Sequence, residues 1–360
     1  MISFWVDAAG TFTMEQYLLT RAPQLADRIE LRRYEELSPD LDAAGGTHIF
    51  AALDQLTPGG LEAVISLSER LSASRPPHPL LNDPRRVRQR HDLLASLFDA
   101  GINRYRAYRA TNAADARFPV FVREESEHNG PLTGLLNSGR EVARALLTLR
   151  ARGYRQADLL VVEFCDLLNA DGLYRTASAF RVGERIVPAH LLSGKNWMLK
   201  WEESEHGERA MQEHLDYVLG NPHQARLRRV FDLAGVEYGR IDYGMRGDTL
   251  QVWEINTNPT LGPSRNPPLV TMAPNLEAML HKARTVHHDA MRAAFQSLDT
   301  GQDDDRMTVR LDAAPLARMK AETLKLRRRR AALRFLHGVY GHPVVGRIFR
   351  AAYSRFLPRM

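Results

Sequence analysis

Cysteine is nearly missing from the 360 residues, where Cys165 stands alone. A single thiol cannot close an internal disulfide, and no CxxC or HExxH pattern offers a zinc site, so a reducing compartment is expected. No run of about 18 apolar residues occurs, which excludes a recognisable membrane-spanning helix. The opening MISFWVDAAG lacks a basic n-region and a long apolar core, and it reads as a first strand rather than a signal peptide. The stretch SGKN at 193–196 lacks the upstream glycine of a P-loop. The protein is therefore expected to be cytoplasmic, with peripheral membrane contact left open by its charge pattern.

What the chain does have is apolar residues, 44% of the total, enough for one large core or two to three smaller ones. The formal net charge of +6 is unevenly spread. Residues 316–360 carry twelve Lys or Arg against one acid, Glu322, so the tail is strongly basic and the body mildly acidic. The tail splits into a basic helix over 316–341 and a second segment with Val344, Ile348, Phe349, Tyr353 and Phe356 between arginines. Three occupants fit such a tail: the acidic body of the same chain, an anionic membrane surface, or another partner. Nothing resembles a nucleic-acid fold, so nucleic acid is not expected.

Patterning gives a strand over 1–7, a helix over 14–31, a strand from 47 and a helix over 58–73, a βαβ-like layout with a parallel sheet. A Pro-rich connector spans 74–84. A helix is expected from Asp83 to Gly101, capped by Asn82 or Asp83, with Pro84 in its first turn. Strands are expected at 118–123 and 158–168, a helix over 137–153, and a hairpin over 174–192 turning at Gly183-Glu184. Two helices over 207–219 and 222–235 precede another hairpin, and one long helix covers 275–298. The acidic stretch DTGQDDDRM at 299–307 reads as a linker.

The hairpin RIDYGMRGDTLQVWEIN at 240–256 carries the chemistry. With GDT at 247–249 as a three-residue loop, position 242 lies opposite 254 and 240 opposite 256. Alternation then places Arg240, Asp242, Val252, Glu254 and Asn256 on one face, with Ile241, Tyr243, Trp253 and Ile255 on the other. Two carboxylates facing across a strand pair repel unless a cation joins them, and oxygen-only ligands suit Mg²⁺, which commonly accompanies polyphosphate. A solvated outer face whose charges pair with one another is the other reading of the hairpin taken alone.

Arg-x-Asp, a turn, and Glu-x-Asn-x-x-Pro resemble the signature of the ATP-grasp superfamily of carboxylate–amine ligases. The resemblance covers roughly 80–265 and implies an ATP-grasp fold of three subdomains, α+β with α/β, behind a leading parallel-sheet domain and before a helical C-terminal extension. The expected division is 1–78, 79–300 and 301–360. It further implies ATP and Mg²⁺ as cofactors, with Asp242, Glu254 and Asn256 holding the metal and Arg240 beside the transferred phosphate. Arg123 stands on the strand entering the phosphate loop, where the family has lysine; Arg88 and Arg90 are the nearest cations where a second lysine is usual. Residues 124–134 read as a lid, with His128 at substrate or phosphate. Glu163, Phe164 and Cys165 fall at the adenine hinge, Asp171 near the ribose, and Arg175 and Lys195 where cations approach the triphosphate. Ser264 and Arg265 lie where relatives hold the second substrate. His287 and His288 read as surface histidines.

The implied activity is an ATP-dependent ligase that activates a carboxylate as an acyl phosphate for an amine or other nucleophile. The alternatives are a kinase acting on a small-molecule hydroxyl and a nucleotide-binding pseudo-enzyme working through its tail. A homodimer is compatible with all three.

Overall fold

The computed structural model describes residues 1–128, 130–262, 272–301 and 306–341. The first layer begins with β1 (Ile2–Val6), α1 (Phe12–Thr20), β2 (Ile29–Arg33), β3 (Asp40–Ala44), β4 (Thr47–Phe50), α2 (Pro58–Ala73) and β5 (Leu80–Leu81). Strands β2, β1, β4 and β5 form a parallel sheet in that order. The helix expected over 14–31 is wrong in its second half. Pro23 ends it, since proline supplies no amide hydrogen to continue the ladder, and Ile29–Arg33 pairs instead with β1.

Helix α3 spans Arg90–Asp99, so it starts seven residues later than expected, after a Gln89 that gives no side-chain cap. Asn82 is diverted from capping. It sits at φ +61 and is fully buried, donating Nδ2 to Phe50 O and Tyr238 O while its Oδ1 accepts the amides of Glu237 and Tyr238. That side chain satisfies four backbone groups at the join between the leading sheet and the strand beginning at Tyr238, which explains why a polar residue tolerates complete burial. Gly101, at φ +68, ends the helix as its conformational freedom suggests.

A three-stranded antiparallel sheet follows from β6 (Ala107–Arg109), β7 (Val120–Glu124) and, after α4 (Gly139–Ala151), β8 (Leu159–Glu163), with β8 central. The four-stranded antiparallel sheet contains β9 (Tyr174–Val182), β10 (Arg185–Gly194), and, after α5 (Glu208–Gly220) and α6 (Gln224–Ala234), β11 (Tyr238–Arg246) and β12 (Thr249–Asn256), in the order β10-β9-β11-β12. One apolar core runs between these two sheets and α3, α5 and α6, through Leu97, Leu160, Ala179, Leu227, Phe231 and Ile241. Burying that many aliphatic side chains, each contributing about 1.5–3 kcal/mol, sets the separation of the sheets.

After α7 (Pro274–Gln296) the chain returns to its beginning. In place of the expected acidic linker's end, β13 (Arg306–Arg310) pairs antiparallel with β3, and α8 (Ala313–Gly341) lies along α2. Val309, Leu311, Leu316 and Met319 complete the core that holds Trp5, Phe50 and Leu67. The first turns of the basic helix thus dock on the leading domain; Arg318 pairs with Glu62, and Gly59 N donates to Glu322 Oε2 at 2.8 Å. The second tail segment, from 342, lies outside the described residues. Among the described residues no helix is long and apolar enough to cross a membrane.

Candidate active site

The hairpin register at its polar end is the expected one: Arg240 pairs with Asn256 and Asp242 with Glu254. The route to it differs. The turn is Gly247-Asp248, because Arg246 already pairs with Thr249, and a bulge between Asp242 and Tyr243 restores the offset. The extra residue turns Val252 to the Tyr243 side, where both are fully buried, and leaves Trp253 partly exposed on the cavity wall. The face assignments of Val252 and Trp253 are corrected accordingly: one inserted residue exchanges inside for outside.

A cavity of about 310 Å³ opens between the two antiparallel sheets. Arg123, Glu163, Phe164, Cys165, Arg175, Arg240, Asp242 and Glu254 all line it, together with His128 of the loop after β7. Lys200 and His190 line it as well and escape sequence reasoning; Lys200 follows β10 in a segment with no strand or helix pattern to flag it. Lys195 is exposed and off the cavity wall. Asp171 is also off the wall. It accepts from Arg175 at 2.7 Å and from Arg209 at 2.7 Å, and these guanidinium groups hold its carboxyl well below the usual carboxylate range. Ser264 and Arg265 lie outside the described residues.

Glu254 is the electrostatic centre. Burial works against its charge, yet His128, Arg90 and Arg123 hold it ionised well below the ordinary carboxylate range. Its Oε2 accepts from Arg90 and from Arg123, each at 2.7 Å, while among the described residues Oε1 has only His128 Nδ1, at 3.5 Å. Arg90, the first residue of α3, also donates to the loop carbonyls of Glu124 and Glu127, 3.0 and 2.9 Å away. Its burial lowers the guanidinium's pKa, which Glu254 partly restores. His128 bonds Asp54 through Nε2 at 2.9 Å. Burial opposes its charge, but the hydrogen bonds to Asp54 and Glu254 lift it to about 9. The loop over 124–128 is thus clasped to the leading domain on one side and to β12 on the other.

Asp242 is raised by burial; Arg240, donating from Nε and Nη2 at 3.1 and 3.0 Å, lowers it, and Glu254 adds to the rise. Two facing carboxylates in mutual repulsion suit a hard dication, and Glu254 Oε1 keeps lone pairs open for one. Asn256 contributes a third oxygen of the same hairpin, its Oδ1 accepting Asn258 N at 2.7 Å with a second lone pair to spare. Among the described residues no three His, Cys, Asp or Glu side chains gather as a metal cage.

The hinge segment is bonded to the strands and loops around it. Glu163 has no carboxylate oxygen to spare for a base: it accepts the amides of Arg106 and Arg117, the Arg117 guanidinium at 2.7 Å and the Tyr108 hydroxyl at 3.2 Å. Phe164 N donates to Pro119 O at 2.9 Å. Burial pushes the Cys165 thiol up, as expected for packing rather than nucleophilic chemistry. Arg175 is held between Glu213 and Asp171.

A leading parallel sheet, then two antiparallel sheets with a cavity between them lined by Arg240, Asp242 and Glu254, is the layout implied by the sequence resemblance, although Asn256, expected as a metal ligand, is not among the residues lining the cavity. No family model matches the chain, and no curated protein matches it. Solved structures to which it is similar include D-alanine–D-alanine ligase from Bacillus anthracis complexed with ATP, at 11% identity and TM-score 0.40, covering 82% of this chain and 99% of that one. Another is the ATP-grasp ligase PsnB complexed with minimal precursor, at 11% identity and TM-score 0.42, covering 78% and 99%. A RimK domain ATP-grasp protein from Sphaerobacter thermophilus has 14% identity and TM-score 0.41, covering 80% and 98%.

Proposed function

We propose that the protein is an ATP-dependent ligase that activates a carboxylate as an acyl phosphate and passes the acyl group to an amine or other nucleophile. One observation carries the reading: Asp242 and Glu254 face each other in register, beside Arg240 and Arg123, on the wall of the cavity between the two antiparallel sheets. In the first step a substrate carboxylate oxygen attacks the γ-phosphorus and the bond to the β–γ bridging oxygen breaks, releasing ADP. In the second step the nucleophile attacks the acyl carbon and inorganic phosphate leaves with the transferred oxygen.

Asp242, Glu254 and Asn256 would hold Mg²⁺, which would supply positive charge against the nucleotide's phosphates. Arg240 and Arg123 supply donors for the phosphoryl oxygens, and donors already held in place need little reorganisation as charge moves. His128 and Arg90 hold the loop of 124–128 over the site, excluding water that would hydrolyse an acyl phosphate.

The test is a screen of carboxylate and amine pairs for ADP release, using substrates labelled with ¹⁸O in the carboxylate. Label appearing in inorganic phosphate supports the ligase. A stable phosphorylated product without free phosphate would replace it with the kinase, and full ADP release by Asp242→Asn would remove the mechanism.

A further inference from the structure

A second cavity, of about 1250 Å³, lies beyond the first and shares His190, Leu199, Lys200 and Arg240 with it. Its far wall is built from the end of α1 and one face of α7, where Arg21, Arg284 and His288 converge. These groups are out of balance. Among the described residues neither Arg21 nor Arg284 has a carboxylate partner, although Glu202 and Glu277 line the same cavity. Arg21 Nε and His288 Nδ1 are buried with no hydrogen-bond partner among the described residues. A buried donor left unsatisfied costs about 1–3 kcal/mol, more when charged, so such a pair is expected only where something else completes it.

The electrostatics point the same way. Burial and the nearby Arg21 lower the Arg284 guanidinium. Burial, then His287, Arg21, Arg292 and Arg284, drive His288 down to about 3. The wall gathers like charge, and no carboxylate among the described residues touches its two arginines. His287, expected at the surface, is instead packed against Phe180, with Nδ1 2.8 Å from Pro188 O, and this fixes the α7 face towards β10.

We propose that this second cavity takes a substrate carrying a terminal anionic group, a carboxylate or a phosphate, gripped by Arg21, Arg284 and His288. The inference deepens the ligase reading and rests on it for the substrate's role: the reacting end of the molecule lies by Arg240, where the two cavities meet, and its charged end lies at the far wall. Guanidinium groups suit both anions because each presents paired donors to paired oxygens.

The experiment is isothermal titration of the full chain with citrate and, separately, with orthophosphate, without nucleotide or Mg²⁺. Binding of either is expected, weakened roughly tenfold or more in Arg21→Gln/Arg284→Gln, since each lost charge-assisted contact is worth about 1.5–3 kcal/mol. Which probe binds more tightly distinguishes carboxylate from phosphate. Arg284→Gln alone, at an exposed position, provides a variant that folds if the double substitution does not, and a weakening of several-fold is expected there. Equal affinity in parent and variants, or no binding by the parent at about 10 mM, would overturn the proposal. Because nucleotide is absent, failure of the acyl-phosphate test above leaves this result standing, and the reverse also holds.

Discussion

Glu254→Ala is expected to unfold the site before it informs on catalysis. Glu254 is 9% exposed and neutralises two arginines that are themselves 7% and 8% exposed. Removing its carboxylate leaves Arg90 and Arg123 facing one another, with a Nε on each already lacking a partner among the described residues. Breaking a buried pair from one side costs about 3–5 kcal/mol. For a chain region of 150–250 residues that amounts to a fall in melting temperature of roughly 6–20 °C. Asp242→Asn should cost far less, about 1–2 kcal/mol, because the amide oxygen still accepts from Arg240. Differential scanning calorimetry on both variants decides the matter. Adding Arg90→Met to Glu254→Ala should recover about 1 kcal/mol or more, since one uncompensated charge disappears. A Glu254→Ala melting point within about 2 °C of the parent would refute the claim that these arginines depend on it. Asp242→Asn is therefore the substitution from which loss of ADP release can be read as loss of chemistry.

Other expectations follow from separate parts of the molecule. Gly59→Ala, in a helix where alanine ordinarily stabilises by about 1 kcal/mol, should instead destabilise by about 1–3 kcal/mol, because its Cβ would meet Arg318 Cβ and Met319 N at 2.9 Å. Faster amide exchange across 316–326 would report the lifted helix, and unchanged exchange would contradict it. Asp299, held below the usual carboxylate range by Arg28 and the Met1 amine, contributes stability that is present above its unfolded pKa and lost as pH falls through the folded one. Asp299→Asn should lower the melting temperature at pH 7, with the gap closing below about pH 4; a gap independent of pH would reject this. Cys165 should alkylate about tenfold more slowly than free cysteine at pH 8, and more slowly still with ATP in the cavity it lines; rapid, unprotected labelling would contradict its placement.

Much of the site is legible in the sequence because its information is local. The alternation through Arg240, Asp242, Glu254 and Asn256 survives any turn that conserves the register, and the bulge compensates for the shorter loop. The bulge itself has no signature in DTLQVWE, so the sides taken by Val252 and Trp253 are not readable. Residues acting at long range are equally silent. Arg90 meets Glu254 across 164 positions, and Asn82 meets Tyr238 across 156. Local propensity assigns Asn82 to a helix cap, whereas tertiary hydrogen bonding takes it elsewhere. The strand at Ile29–Arg33 is hidden by helix-compatible composition, and β13 by the acids before it; both need a partner strand to exist.

The position of Asn82 has a mechanical consequence. Its four bonds tie the opening layer to the start of β11, an inner strand of the hairpin's own sheet, and so couple those two parts. The segment leading into the opposing sheet is anchored at one end of β12, where Asn103 and Tyr105 grip Val252 and Arg104 N donates to Gln251. The histidine clasp and the Arg123 ion pair at the other end are polar and detachable holds. Any opening of the cavity for ligand would therefore have to pivot at that anchored end, against the apolar core that the two sheets share.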